Sequence, residues 1–164
     1  MPIKKLTLLR HAKAVLALPG VDDHSRPLNG RGRSAARQVG VETAGARPDL
    51  VLCSTSTRTR ETWALLSQAW ETMPPVLVED ALYMADVEAL LARLRRIPSE
   101  ISHAWLIGHN PGLHDLANRL AEGIGQVAHF PTAARARLEF VSDDWDELGR
   151  VPLRRLDVFT PARD

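Results

Sequence analysis

The chain has very little cysteine and no excess of charge of either sign. Cys53 is its single cysteine, so no disulfide can form within the chain. Its 21 Lys and Arg residues and its 20 Asp and Glu residues leave a formal net charge of +1. Such a balance gives no support to nucleic-acid binding, which calls for a basic face.

Long hydrophobic runs are absent as well. The N-terminal apolar run at residues 6–9 is broken at once by Arg10 and His11, so it is too short for the apolar region of a signal peptide. No stretch of the sequence reaches the length of a membrane-spanning helix. We therefore expect a cytoplasmic protein with no membrane partner.

What is present is typical of a compact soluble domain. The 164 residues are 45% hydrophobic and 25% charged, which predicts one domain over residues 1–164. The cationic side chains are mostly arginine, whose planar guanidinium binds phosphate or carboxylate through two parallel hydrogen bonds. This composition favours a ligand that is an oxyanion.

Short apolar runs predict the strands of a sheet. Four of them are almost continuously apolar, as strands covered on both faces are; they lie at residues 6–9, 50–53, 75–78 and 104–107. Helix-length segments separate them. Two of these segments repeat apolar residues with helical spacing, at Val87, Leu90, Leu91 and Leu94 and at Leu113, Leu116, Ala117 and Leu120.

The alternation of strands and helices predicts an α/β fold. Right-handed crossovers place helices on both faces of one sheet, so we expect a three-layer α/β/α sandwich with a mostly parallel central sheet. Residues 135–141 and 152–159 flank a polar turn that contains Gly149. They are predicted to form a terminal strand pair at an antiparallel edge of the sheet.

Polar residues collect where the predicted strands end. Arg10 and His11 follow the first strand, Ser54 and Arg58 follow the second, and His109 follows the fourth. Ligands of open α/β sheets bind at the carboxyl ends of the strands. A lone histidine at a strand end is more often structural, but the convergence of two histidines with arginines on one edge predicts a functional site.

This set of residues suits phosphoryl transfer. A neutral imidazole can attack phosphorus and form a phosphohistidine, which divides one difficult displacement into two easier ones. Arginines can bind the non-bridging oxygens, and a second histidine, if cationic, would add stabilising charge. The chemistry needs no metal or other cofactor.

The same residues resemble the motifs of the histidine phosphatase superfamily, which includes the phosphoglycerate mutases. The matching segments are LLRHAKA, RPLNGRGRSAARQ, CSTSTRTRET and LIGHNPGL, in that order, and they cover about residues 6–120. Within the superfamily the chain is most similar to the SixA-type phosphohistidine phosphatase branch. Three features carry this similarity: the short length, the RHAKA form of the first motif and the GHNPGL of the last. The resemblance implies that His11 is the nucleophile and that Arg10, Arg58 and His109 complete the phosphate pocket. It also implies that Asn110 offers its backbone N–H to a phosphate oxygen.

The general acid is the point on which substrate choice depends. Many relatives that cleave phosphomonoesters place a carboxylate after the third strand, and Glu79, Asp80 and Asp86 are the candidates there. Asp86 also suits the N-cap of the following helix, and Glu79 suits the orientation of an arginine. A phosphoramidate such as phosphohistidine needs an acid less, because its leaving imidazole protonates readily.

The segment at residues 15–26 is the only one with length to spare for a lid. An open site would admit a phosphorylated side chain on another protein, such as a phosphorelay or phosphotransferase component. Within this segment Arg26 is a candidate phosphate ligand and His24 is either a substrate contact or solvated; Lys13 and Arg60 are further candidates near the pocket. The predicted function is therefore a protein phosphohistidine phosphatase, and the alternative is a metal-independent phosphatase for a small phosphomonoester.

Three other classes are less well supported. A cysteine-dependent phosphatase loop needs five residues between its cysteine and its arginine, whereas four separate Cys53 from Arg58. A metal site at His11 and His109 lacks further ligands at a suitable spacing. A module that merely binds phosphate would have no need of a nucleophile beside the arginines.

Overall fold

The computed structural model describes residues 2–161, so the ends of the predicted domain, residues 1 and 164, lie outside the described residues. The described chain contains six strands, β1 (Ile3–Arg10), β2 (Leu50–Ser54), β3 (Val76–Glu79), β4 (His103–Gly108), β5 (Arg135–Val141) and β6 (Arg155–Phe159). It also contains four α-helices, α1 (Gly30–Thr43), α2 (Thr57–Leu66), α3 (Val87–Arg95) and α4 (Gly112–Leu120), and four short 3₁₀ turns.

One six-stranded sheet forms the middle layer, in the order β3-β2-β4-β1-β5-β6. Strands β1 to β4 are parallel to one another, whereas β5 runs antiparallel to β1 and β6 runs antiparallel to β5. The predicted fold class is confirmed: a mostly parallel sheet ends in an antiparallel strand pair.

Alternate residues of the central strands face opposite helical layers. On β1, Leu6 and Leu8 join the core under α3 and α4, whereas Leu9 joins the core under α1 and α2. On β4, Leu106 faces the first layer and Trp105 faces the second. All five side chains are fully buried, and burial of a leucine stabilises the fold by about 1.5–3 kcal/mol.

The third predicted strand is less covered than its sequence indicates. Residues 75–78 read as a strand buried on both faces, but β3 is an edge strand, and Leu77 and Val78 are both about half exposed. A strand of four residues at the margin of a sheet has too few neighbours to cover both of its faces. The prediction of two-sided burial is therefore wrong for β3.

The bounds of the last strand also differ from the prediction. The last strand begins at Arg155 rather than at residue 152, because Pro152 has no N–H to give to the sheet and Val151 pairs with Leu148 instead.

Close backbone approaches place the elements around one end of the sheet. A side chain at Gly32 would bring a Cβ atom within 2.0 Å of the carbonyl oxygen of Lys13, so α1 can pack on the segment that follows β1 only with glycine there. A Cβ at Gly112 would lie 2.1 Å from the carbonyl oxygen of Ala85, which ties the start of α4 to the loop before α3.

No helix within residues 2–161 is both long enough and apolar enough to cross a membrane.

Candidate active site

The strand register brings the two histidines of the motifs together. Strands β1 and β4 are parallel neighbours with Arg10 opposite Gly108, so His11 and His109 leave the same edge of the sheet side by side. Their ring centroids are 5.3 Å apart. The backbone N–H of His11 donates to the carbonyl oxygen of Gly108 at 3.1 Å, which links the two strand ends directly.

One contact determines the tautomer of His11. Its Nδ1 lies 2.7 Å from the carbonyl oxygen of Ala12, and a carbonyl oxygen can only accept a hydrogen bond. Nδ1 therefore carries the ring proton, and Nε2 keeps a lone pair. Ala12 is itself fixed, because it is fully buried and its N–H donates to Oγ1 of Thr62 at 2.9 Å.

Arg58 joins the two histidines. It lies in the first turn of α2, is almost completely buried, and places its Nε 3.4 Å from Nε2 of His11 and its Nη2 3.4 Å from Nδ1 of His109. The guanidinium is held from its other side by Asp23, whose backbone oxygen accepts from Nη1 at 2.7 Å and whose Oδ2 accepts from Nη2 at 3.1 Å. A cation is thus fixed directly beside the lone pair of His11.

His109 is neutral in this arrangement. A guanidinium only donates hydrogen bonds, so Nδ1 of His109 accepts from Arg58 and Nε2 carries the proton, which it donates to Oγ of Ser54 at 2.8 Å. Tyr83 packs edge-on against the His109 ring at a centroid distance of 5.3 Å. A cationic second histidine, the form that would add charge to the site, is not the form that these contacts favour.

Burial and the nearby cations lower the pKa of both histidines. The pKa of His11 is lowered to about 4, mainly by burial and further by the charges of Arg58 and Arg10, although the bond to Ala12 opposes the shift. The pKa of His109 is lowered to about 3 by burial and by the nearness of His11 and Arg58. Both imidazoles are therefore uncharged near neutral pH, as a nucleophilic nitrogen must be.

Arg10 and Arg26 add positive charge at the rim of the site. Nη1 of Arg10 donates to the carbonyl oxygen of Phe130 at 3.2 Å, whereas its buried Nε has no hydrogen-bond partner among residues 2–161. Arg26 binds Oδ1 of Asp23 through Nε at 3.0 Å and the carbonyl oxygen of Val15 through Nη1 at 2.6 Å. Both arginines border the cavity in front of His11.

That cavity has a volume of about 320 Å³. It is lined by the predicted residues Arg10, His11, Arg26, Arg58, His109 and Asn110, together with Lys13, Ala14, Asp23, Met84 and Thr132. The structure thus brings all six predicted catalytic and phosphate-binding residues to one cavity. Arg60 is not among its lining residues, since its exposed side chain turns back to the carbonyl oxygen of Thr55 at 2.9 Å.

Asn110 has a positioning role through its side chain. Its Nδ2 donates to the carbonyl oxygen of Phe130 at 2.8 Å, and its Oδ1 accepts from the N–H of His114 at 3.2 Å. These bonds join the start of α4 to the loop before β5. The use of its backbone N–H for a phosphate oxygen stays a prediction.

Asp23 is the residue that the sequence analysis missed. Within the described chain it is the one carboxylate that lines the cavity, and Tyr83, Arg26 and Arg58 all donate hydrogen bonds to it. The Tyr83 hydroxyl is the largest of the influences that hold the pKa of Asp23 well below its usual range, so the carboxyl group is ionised. It lies in the segment between β1 and α1, within the run DDHSR. Nothing in the pattern of this segment indicates that Asp23 reaches the cavity.

The three acids predicted from the sequence lie elsewhere. Glu79 accepts from Nε of Arg93 at 2.6 Å and from Nη2 at 3.0 Å, so it orients an arginine. Asp86 is the N-cap of α3 and accepts from the N–H of Ala89 at 2.9 Å. Asp80 accepts from Oγ1 of Thr55 at 2.8 Å. None of the three lines the cavity.

Cys53 is unsuited to nucleophilic chemistry. It is buried in the core between the sheet and helices α1 and α2, and its Sγ donates to the carbonyl oxygen of Ser54 at 3.4 Å. Burial raises the pKa of the thiol to about 12. The thiol is therefore protonated at neutral pH and does not line the cavity, which excludes the cysteine-loop alternative.

A metal centre finds no support in the arrangement of side chains. Across residues 2–161, no group of three or more His, Cys, Asp or Glu side chains is placed to hold a metal ion. The residues around His11 instead offer one unprotonated imidazole nitrogen and several guanidinium donors. This combination can bind a phosphoryl group and attack it.

Known proteins are similar to this chain in sequence and in fold. An uncharacterised protein of Mycobacterium tuberculosis is 32% identical over 151 residues, which are 85% of this chain and 91% of the relative. The proposed phosphohistidine phosphatase SixA of Nakamurella multipartitia has a TM-score of 0.86 at 28% identity, with 99% of each chain covered. The proposed SixA of Agrobacterium tumefaciens has a TM-score of 0.78 at 29% identity, with 96% of this chain and 99% of that chain covered.

The fold also occurs in phosphatases of small molecules. An Escherichia coli protein described as a proposed α-ribazole-5′-phosphate phosphatase has a TM-score of 0.68 at 18% identity, a similarity that shows the fold alone. The family model that matches residues 6–110 is that of the histidine phosphatase superfamily, branch 1. These residues include both histidines and Arg58 of the cavity described above, and the chain belongs to this superfamily.

Proposed function

We propose that the protein removes the phosphoryl group from phosphohistidine on another protein, with His11 as the transient phosphoryl acceptor. We choose this substrate because the carboxyl group of Asp23 is ionised. Within residues 2–161 it is the one carboxylate that lines the cavity, and it is ionised. The site therefore presents no carboxylic acid to protonate an alkoxide, which is a poor leaving group without a proton.

In the first step Nε2 of His11 bonds to phosphorus while the bond between phosphorus and the substrate imidazole breaks. If the other ring nitrogen of the substrate carries a proton, the imidazole leaves as a neutral molecule and needs no acid from the enzyme. The guanidinium of Arg58, 3.4 Å from Nε2, is placed to bind the phosphoryl oxygens during the transfer. Arg10 and Arg26 supply further charge at the rim.

In the second step a water oxygen attacks the phosphorus of phosphorylated His11. The bond from Nε2 to phosphorus breaks, and His11 returns to its neutral form with the Nδ1 proton still donated to Ala12. Both protons of the water leave with the phosphate. His109 lines the cavity beside His11, and its bonds to Ser54 and Arg58 fix the position of its ring there.

The partner in this proposal is a phosphorelay or phosphotransferase component, and we place the reaction in the cytoplasm. A small phosphomonoester is the second candidate substrate. Its support is the size of the cavity, because a volume of about 320 Å³ lies within the usual range for small-molecule sites.

Phosphate release from matched substrates tests the proposal. A small protein with one surface histidine, phosphorylated by phosphoramidate, is compared with free phosphohistidine and with a panel of sugar phosphates and nucleotides, all in buffer with EDTA. The His11→Ala variant serves as the blank. We expect kcat/KM for the phosphohistidine substrates to exceed that for every ester by orders of magnitude. A single ester that is hydrolysed faster would replace the proposal with the second candidate.

A further inference from the structure

Aliphatic side chains are unusually exposed on one segment beside the catalytic cavity. Leu16 is 79% exposed and Leu18 is 59% exposed, and Val15 and Val21 of the same segment are also exposed. Met84 lies exposed on a second segment that borders the cavity. We name these five residues the apolar rim.

The apolar rim is attached to the catalytic cavity by specific contacts. The guanidinium of Arg26, which lines the cavity, donates to the carbonyl oxygen of Val15, and the N–H of Val15 donates to the carbonyl oxygen of Pro27 at 2.9 Å. Met84 lines the cavity itself, with its Sδ 3.9 Å from Nη2 of Arg58. The apolar rim therefore lies next to the cavity that contains His11.

The concentration of these residues is not typical of a protein surface. Eleven large apolar side chains are exposed among residues 2–161, and five of them form the apolar rim. Scattered exposed apolar residues need no explanation, but a contiguous group usually marks an interaction site. Burial of exposed leucines during turnover would recover the free energy that their hydration costs.

Basic residues border the cavity on another side. Lys13 lines the catalytic cavity and also, with Arg10 and Arg31, lines an adjoining cavity of about 410 Å³. Lys13 and Arg31 are both exposed. A partner that covers the mouth of the site therefore meets aliphatic side chains and cationic ones together.

We propose that the apolar rim is the docking surface for the phosphorylated protein, and that the partner presents its phosphohistidine within an aliphatic patch next to acidic side chains. The proposal rests on the function proposed above. A histidine side chain is short, so a partner that brings its phosphoryl group to Nε2 of His11 brings its own surface against the rim. The acidic side chains of the partner then face Lys13 and Arg31.

The test separates docking from chemistry. The Leu16→Ser/Leu18→Ser double variant is compared with the matched control Val41→Ser, which removes a 73% exposed side chain from α1. The probes are the small phosphohistidine protein described above, free phosphohistidine and p-nitrophenyl phosphate. We expect the double variant to raise KM for the phosphoprotein about tenfold or more and to change kcat by less than about twofold. For the two small substrates, kcat/KM should also change by less than about twofold. The control is expected to behave as wild type.

A second arm tests the predicted charge of the partner. Arg31→Glu is expected to raise KM for the same phosphoprotein at low salt, and the effect is expected to shrink as the ionic strength rises. The values of kcat/KM for the small substrates should be unaffected.

Five results contradict the docking proposal or its premise. An unchanged KM for the phosphoprotein in the double variant excludes docking at the rim. Equal losses with all three probes show that the substitutions disturb the site itself. A wild-type dimer in size-exclusion chromatography that the double variant abolishes, or rim-dependent binding to phospholipid vesicles, assigns the rim to a second copy or to a lipid surface. Absence of any phosphoprotein turnover by wild type, with ester turnover intact, overturns the proposed function instead.

Discussion

Nδ1 of His11 and the carbonyl oxygen of Ala12 are 2.7 Å apart, and this contact decides which ring nitrogen is available for chemistry. Because Ala12 follows His11 directly, the chain folds back on the ring that precedes it and holds the proton on Nδ1. The lone pair of Nε2 then faces the guanidinium of Arg58. The nucleophile is thereby placed beside the cation that would bind the oxygens of the transferred phosphoryl group.

The first prediction concerns the charge of the two active-site histidines. Since the pKa of His11 is lowered to about 4 and that of His109 to about 3, both rings stay neutral at pH values where a histidine of an unfolded chain, with a pKa of about 6.5, is protonated. We expect NMR titration of the ring carbon-bound protons to show no protonation of either ring between pH 7 and pH 5.5. Titration of His11 near 6.5 would show that burial and the arginines do not control its charge.

The second prediction concerns stability at acid pH. His11, His103 and His109 are buried, and burial lowers the pKa of each, so between about pH 6.5 and pH 4 the unfolded chain binds more protons than the folded one. The free energy of unfolding must then fall as the pH falls through that window. Urea unfolding at pH 7 and pH 4.5 measures the loss.

The His103→Gln variant gives the control for this effect. His103 lies on β4, outside the lining of the catalytic cavity, with its Nε2 3.0 Å from Oγ1 of Thr7. The variant should show a smaller loss of stability between the two pH values and unchanged phosphatase activity. A loss equal to that of wild type would contradict the assignment of His103 to the effect.

The third prediction concerns the carboxylates. Glu79, Asp80 and Asp86 do not line the cavity, so Glu79→Gln, Asp80→Asn and Asp86→Asn should each change kcat by less than about threefold. Asp86→Ala removes the N-cap of α3 and is expected to cost about 1 kcal/mol of stability with activity intact. A large fall in kcat for esters in any of the three isosteric variants would identify a general acid that the static arrangement does not show.

The fourth prediction concerns Arg58. Its planar guanidinium contacts both histidines and Asp23 at once, which the single ammonium of a lysine cannot reproduce. We expect Arg58→Lys to lower kcat/KM by about 10²–10³-fold and to weaken inhibition by vanadate. Arg60→Lys, two residues along the same helix and outside the cavity lining, is the matched control and should retain activity. Similar losses in the two variants would point to the helix rather than to the contacts of Arg58.

The strands and helices that position the site can be predicted from the sequence, because the buried residues form unbroken apolar runs in the strands and regular apolar stripes in the helices. Residues 50–53 and 104–107 lie in the centre of the sheet and read as apolar runs, and the helical stripes at Leu90 and Leu116 face the core as expected. The edge strand β3 carries a similar apolar run although it is half exposed, because apolar composition does not report which strand lies at the margin.

The position of the loop carboxylate could not be predicted in the same way. Asp23 reaches the cavity through contacts with Arg58 and Tyr83, which lie 35 and 60 residues away along the chain. Such long-range pairing leaves no periodic trace in the sequence. The strand ends, by contrast, are brought together by the parallel register itself, so Arg10, His11 and His109 could be placed on one edge from the sequence alone.

Trapping the phosphorylated enzyme tests the role of His11 as the phosphoryl acceptor. The wild-type protein is mixed with a ³²P-labelled phosphohistidine protein, quenched in alkali within milliseconds, and its peptides are examined by mass spectrometry and by chromatography of the phosphohistidine isomers. We expect label on His11 at Nε2, which is lost on longer incubation as phosphate appears, and no label in His11→Ala. Label on Nδ1 or on another residue, or phosphate release by His11→Ala, would contradict it.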